Sequence, residues 1–499
     1  MAENVKAVTL EHVKTYSEHF NAQRANLLAA NAAVNNGVLK AATSYQGKRA
    51  LPREFSVELN QGSITNQKRS GRCWMFASLN TLRYELMHKW NLDDFEFSES
   101  YLFFWDKIEK ANAYLENVLS TLDEPVDSRI FEIINEGPID DGGWWQMFVN
   151  LVNKYGLVPK SAYPDSQNAV DSDSFVQYIN TKLREFACEL REAHKNGASL
   201  EELREMKVRD LETVYRMTTI ALGEPPAKFD FFARTKDDDD DKKDEKKDGS
   251  KDGEKAGESD EKSDDKKDDS DDKKDDKKEE KPKTGKDERP MIREYGITPL
   301  EFAKKYVPVD VNDFVTVCNC PMERTPFNKL YQIKYSTNVA ETKGMEFVNV
   351  PLEVFKKAAV AQLSDGHPIW FACDCTQFSL RDSGFFDPAV VRVDQLFDVE
   401  FTFDKAKGLE YMDIPGNHAM TFTGVNLDKD GNPDRWKIEN SWGKDAGEDG
   451  YYVGSAEWFD RYVTEIIINK KYLDEATLAV ASQEPVMLEP WEPLTKRCR

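Results

Sequence analysis

The spacing of apolar residues changes character about halfway along the chain. Phe76, Leu79, Leu82 and Leu86 recur three or four positions apart, and a similar pattern runs from Tyr101 through Leu115, so each stretch predicts a helix with a buried face. The opening segment, MAENVKAVTLEHVKTYSEHF, mixes acidic with apolar positions and predicts a further helix. Beyond about residue 290 the runs shorten: HAMTFTGVN, RWKIENSW, GYYVGS and VTEIIIN are separated by Gly, Asn and Asp, and predict strands of an antiparallel sheet or partial barrel. Between these halves, residues 236–289 are almost wholly Asp, Lys, Glu, Ser and Gly, which predicts disorder. The flanks PAKFDFFART and PMIREYGITPLEF read as two strands, so the insertion is expected at the tip of a surface hairpin, where loop closure depends only weakly on length.

The pattern implies an α+β fold with five parts: an N-terminal helical extension (1–60), a mainly helical half (61–235), the insertion (236–289), a mainly β half (290–480) and a C-terminal segment (481–499). A cleft between the two halves is the expected place for chemistry. The formal charge is −23, and the insertion holds 25 acidic against 18 basic residues, so most of that charge lies elsewhere. Such a balance argues against a general affinity for nucleic acid or anionic membranes. No apolar run reaches spanning length, and the N-terminus lacks the apolar region and cleavage site of a secretory signal. Seven thinly spread cysteines do not form a disulfide framework, and a reducing cytoplasm is the expected compartment. The pairs Cys318/Cys320 and Cys373/Cys375 sit in strand-like stretches with no histidine close in sequence, so neither a metal nor another cofactor is expected.

One cysteine sits differently. In Gln67-Lys68-Arg69-Ser70-Gly71-Arg72-Cys73-Trp74 it opens a predicted helix after a glycine that permits a sharp turn. A helix N-terminus favours the thiolate, the reactive form. The Gln67 amide and the Cys73 backbone N–H together would make a two-donor oxyanion hole. A proton donor is also needed, and the six histidines are unequal candidates. His12, His19 and His194 lie in polar helical stretches; His88 lies about 20 Å along the Cys73 helix; His367 precedes Pro368 in a turn. His418 opens an apolar strand after Pro415-Gly416-Asn417, and Asn440, in Glu439-Asn440-Ser441-Trp442-Gly443, can accept from its imidazole while Trp442 shields that bond. Taken singly, each has a bland reading as core, capping or turn residue.

With Gln-x5-Cys-Trp, His-Ala and Asn-Ser-Trp-Gly in that order, the chain resembles the papain superfamily, and within it the bleomycin hydrolase and aminopeptidase C branch. The segments that carry the closer likeness include ITNQKRSGRCWMFASLN, DDGGWWQMFVNLVNKYGLVPKSAYPDS and NHAMTFTGV. The resemblance implies a papain-like core with extra helices, a homohexamer, and removal of residues from peptides with a free N-terminus. It also implies substrate pairing with the backbone of Gly142 and Gly143, and a C-terminal arm lying in the cleft. In that family the arm's carboxylate meets the substrate ammonium, which directs attention to Cys498 and Arg499. Here Lys496, Arg497 and Arg499 make the arm basic, a departure from the family pattern, and trimming of Arg499 or a shifted tail would preserve the exopeptidase. The competing readings are a papain-like endopeptidase with an open cleft and a non-enzymatic scaffold acting through the acidic insertion.

Overall fold

The computed structural model describes residues 6–236 and 289–495. The bulk of the Asp/Lys-rich insertion and positions 496–499, with Cys498 and Arg499, lie outside the described residues.

The N-terminal half is helical, as its periodicity predicts. Helices Leu10–Ala22 and Arg24–Asn36 have no buried residue, whereas Cys73–Trp90 is buried on nearly every face, including Ser78, Asn80, Thr81 and Arg83. That burial explains why the apolar stripe read from Phe76 to Leu86 understates its packing. The helix ends on Asn91, whose left-handed φ of 50° is tolerated by a short amide side chain. Glu99–Ser120, capped by the Ser98 hydroxyl accepting from Tyr101 N–H, packs with Asp173–Lys195 and Leu200–Leu222.

Strands Phe229–Arg234 and Met291–Ile297 pair antiparallel, with Arg234 opposite Met291. The two flanks of the insertion thus pair with each other.

The C-terminal half contributes most of a twelve-stranded sheet. Its centre runs Phe314–Cys318, Val463–Asn469, Ile369–Cys373, His418–Leu427, Pro433–Glu439 and Tyr451–Ser455, each antiparallel to the next. The sheet as a whole is mixed rather than antiparallel. Val486–Leu488 joins Lys329–Ile333 in parallel, Glu346–Asn349 joins Phe314–Cys318, and Phe385–Phe386 joins Tyr451–Ser455. These parallel pairs link segments distant in sequence, which local turn residues do not specify. Val57–Glu58 crosses from the N-terminal part to pair with Val425 and Gly424. A Cβ on Gly424 would lie 2.6 Å from the Val57 carbonyl oxygen, so only glycine allows that approach.

The Cys73 helix packs on this sheet through buried polar contacts as well as apolar ones. Trp370 Nε1 donates to Trp74 O at 3.0 Å, and Thr421 Oγ1 to Ala77 O at 3.3 Å. Among the described residues no helix is long and apolar enough to cross a membrane.

Candidate active site

Cys73 is the first residue of its helix and is 5% exposed. The loop before it is held from several directions. Arg72, fully buried, donates to Ser70 Oγ at 2.8 Å and pairs with Asp165 at 3.3 Å, so its guanidinium is committed to the loop. Asp141 accepts from Gly71 N–H at 2.9 Å and Ser172 Oγ at 2.5 Å, and pairs with Lys107 at 2.7 Å. Burial alone would raise this carboxyl, but Lys107 and the two hydrogen bonds outweigh it and hold Asp141 at about 2.

His418 begins its strand, and its Nε2 lies 2.9 Å from Asn440 Oδ1. The same Oδ1 accepts from Ser441 N–H at 2.8 Å. A backbone N–H can only donate, so this contact fixes the amide's orientation. His418 must then carry its proton on Nε2, which leaves Nδ1 as the basic nitrogen. Trp442 stacks on the imidazole with ring centroids 4.8 Å apart.

The strand-like segment before Cys73 pairs with the segment that follows Asn440. Gln67 N–H donates to Ser441 O at 2.8 Å and Gly443 N–H to Thr65 O at 3.1 Å, with Asn66 opposite Trp442. Arg83, on the Cys73 helix, reaches Glu439 at 2.9 Å, both side chains being almost fully buried. Burial outweighs the Arg83 and Lys437 charges and pushes Glu439 up to about 7.

A small pocket brings together Cys73, Trp74, Gly142, Gly143, His418, Ala419, Thr464, Glu465 and Leu494, with Trp144, Trp370, Ala372, Gly416 and Asn417. Lys110 donates to the carbonyls of Asp140 and Gly142 at 2.7 and 2.8 Å, holding the glycine pair in the wall. A Cβ on Gly143 would come within 2.5 Å of Trp74 Cε2, so the indole and the glycine backbone are in close contact. Leu494 arrives from the C-terminal arm. That arm is anchored by the Val486–Leu488 pairing, by Glu489 on Lys334 at 2.6 Å, by Trp491 under the Arg129 guanidinium at 4.3 Å and by Glu492 on Arg324 at 3.1 Å. A larger cleft, lined in part by Trp144, Pro490 and Trp491, adjoins it.

Of the residues singled out from sequence, Cys73, His418, Gly142 and Gly143 share this pocket, and Asn440 and Trp442 back the histidine. Gln67 does not line it: its Nε2 donates to Ser70 O at 2.8 Å, which leaves the amide's second N–H for other partners. Cys318, Cys320, Cys373 and Cys375 are buried in the fold. Periodicity and motifs missed Lys107, Lys110, Asp141, Arg83, Glu439, Glu465 and Leu494. The available signal was charge inside apolar helices: Arg83, Lys107 and Lys110 interrupt stretches otherwise read as core.

A cysteine at a helix N-terminus and an amide-held imidazole opening onto one pocket are the components of a cysteine hydrolase. Residues 7–251 and 284–495 match the profile of the Peptidase C1-like family, and the chain belongs to that family. Residues 252–283, within the insertion, fall outside the match. The chain is 36% identical to aminopeptidase C of Lactobacillus delbrueckii subsp. lactis, with 98% of each chain covered. It is also 36% identical to aminopeptidase E of Lactobacillus helveticus, covering 98% of this chain and 99% of that one. The crystal structure of PepW from Lactobacillus rhamnosis HN001 superposes with a TM-score of 0.85 at 34% identity, covering 98% of this chain and 99% of that one.

Proposed function

We propose that this protein is a cysteine aminopeptidase, related to bleomycin hydrolase, that removes residues from peptides with a free N-terminus. In this reading the two papain-like halves supply the nucleophile and the base. Cys73 thiolate attacks the carbonyl carbon of the first peptide bond, and the oxyanion takes hydrogen bonds from Cys73 N–H and the spare Gln67 amide N–H. His418 imidazolium gives its Nδ1 proton to the departing amine, leaving a thioester on Cys73. His418 then takes a proton from water, whose oxygen attacks the thioester and releases the amino acid and the thiolate. Asn440 holds the imidazole in the required tautomer, Trp442 keeps water from that bond, and the Gly142–Gly143 backbone pairs with the substrate.

The observation that carries the exopeptidase reading is the anchored arm placing Leu494 in the pocket with Cys73 and His418. A chain crossing that space would collide with it, so only a substrate that ends there is accommodated. An open-cleft endopeptidase lacks such a plug, and a scaffold has no use for the His418–Asn440 pair. The roles of Cys498 and Arg499 belong to the same proposal: a trimmed or shifted tail places the arm's end beside the substrate. The homohexamer belongs to the same proposal; Leu10, Val13, Phe20 and Leu28, exposed on the N-terminal helices, suit a contact with another copy without fixing the number of copies. A cytoplasmic location agrees with the six free cysteines among the described residues. The test is one fluorogenic peptide with a free or acetylated N-terminus, with Cys73→Ala as control. Cleavage of the free form alone is expected; equal cleavage of both would exclude the aminopeptidase.

A further inference from the structure

Beside His418 lies a cation to which the chemistry above gives no part. The Arg381 guanidinium sits 4.9 Å from the centre of the Trp442 ring, and that ring stacks on His418. Its Nη2 donates to Cys375 Sγ at 3.9 Å. Cys375 is joined in turn to the residue before the histidine, its N–H donating to Asn417 Oδ1 at 3.0 Å. Burial pushes the Cys375 thiol up to about 12, so the sulfur stays neutral and leaves the guanidinium's charge uncompensated. Arg381 is exposed, and among the described residues no carboxylate pairs with it, not even the adjacent Asp382. In a chain with 91 acidic against 68 basic residues, an arginine next to the site stands free to bind an anion from outside.

Its place relative to the pocket decides which part of a substrate it meets. Gly142, Gly143 and Leu494 line the pocket with Cys73, whereas Trp442 and Arg381 do not. With the first residue of a peptide in the pocket and Leu494 closing it, the second residue has to leave past His418, which protonates its amine. Asn417 lines the pocket and holds Cys375, whose thiol is within electrostatic reach of both Cys73 and Arg381. The guanidinium therefore stands on the departing side of the scissile bond. The paired segments that carry Trp442 bring two more exposed cations, Lys68 and Lys444, neither in an ion pair among the described residues. A guanidinium presents paired N–H donors that match a carboxylate, and its contact with the Trp442 ring keeps them in place.

We propose that Arg381 is a specificity-determining residue that binds a carboxylate on the residue leaving with the amine, either the terminal carboxylate of a dipeptide or an acidic side chain at the second position. The proposal rests on the aminopeptidase reading, and the experiment separates the two. Four substrates form two pairs whose members differ in charge: alanyl-alanine against its C-terminal amide, and alanyl-aspartic acid α-amide against alanyl-asparagine amide. Initial rates are compared for wild-type protein, Arg381→Gln and Arg381→Lys. In wild type the charged member of at least one pair is expected to have a kcat/KM higher by about three- to tenfold, through KM, and that pair identifies which carboxylate is bound. Arg381→Gln should abolish the preference, Arg381→Lys should keep part of it, and high salt should weaken it. A wild type with no preference in either pair overturns the proposal. So does a preference that survives Arg381→Gln with both members slowed alike, the result of a role confined to holding Trp442 in place. If wild type cleaves an acetylated peptide as fast as its free form, the aminopeptidase reading fails and this proposal with it. Arg381→Met provides the same comparison should the glutamine variant not fold.

Discussion

Replacing Glu439 by glutamine removes one half of a buried ion pair, yet the variant is expected to gain stability over wild type as pH rises. The Arg83–Glu439 contact is a single 2.9 Å bond, and Arg83 Nε and Glu439 Oε2 are both buried without partners. A buried pair repays desolvation only when its remaining groups are satisfied. Here they are not, and Glu439 titrates at about 7 in place of 4.5. A carboxyl raised on folding contributes stability that is complete below its unfolded pKa and is lost as pH climbs through the folded value. For this shift the loss between pH 5 and pH 8 is on the order of 2–3 kcal/mol. Glutamine mimics the protonated acid, keeps an acceptor for Arg83 and has no such loss. Urea unfolding of both proteins at pH 5 and pH 8 is the assay. The variant should gain on the order of 2–3 kcal/mol relative to wild type between the two pH values. A variant weaker by about 3–5 kcal/mol at pH 8 would show that Glu439 is ionised and the pair net stabilising, refuting the argument.

Three further outcomes follow from the same geometry. Gly143→Ala forces a methyl against Trp74 and should cost about 1–3 kcal/mol in unfolding free energy while lowering kcat/KM, read by denaturation and steady-state kinetics. Asp141→Asn leaves Lys107 buried without its counter-charge and should cost about 3–5 kcal/mol at pH 7. In wild type that stabilisation, from a carboxyl depressed from 3.8 to about 2, is present above pH 3.8 and lost as pH falls through 2, so acid unfolding should show it. A chain ending at Ser482 lacks Leu494 and its anchors, and should cleave an acetylated peptide that the full chain leaves intact.

The legible part of the site was the part encoded by neighbours in sequence. Cys73 after Gly71, His418 after Asn417 and Asn440 before Ser441-Trp442-Gly443 are short motifs, and each sits at the element boundary its local pattern predicts. Supports that join distant positions were not legible. Lys107 meets Asp141 across 34 residues and Arg83 meets Glu439 across 356. Periodicity identifies which face is buried, but a lysine or arginine on that face does not announce its partner. The parallel strand pairs were missed for the same reason. A bulge such as that at Thr464 leaves no mark in VTEIIIN, because an extra residue is defined only against the partner strand.

The anchoring of the two functions differs, and so should their tolerance to change. The cysteine and the histidine–asparagine pair are registered by one contiguous set of contacts. Residues 65–67 pair with 441–443, Trp370 bonds Trp74 O, and Arg83 reaches Glu439 beside Asn440. None of these involves the C-terminal arm. The arm is held separately, by a three-residue parallel pairing and contacts from Arg129, Arg324 and Lys334. Loss of one arm contact should therefore loosen the exclusion of longer chains without displacing Cys73 from His418. Damage to the 65–67 pairing should have the opposite effect, lowering turnover of every substrate alike. In the proposed reading, peptide hydrolysis rests on the packing of the helix on the sheet, whereas restriction to chain ends would depend on a segment fastened from outside.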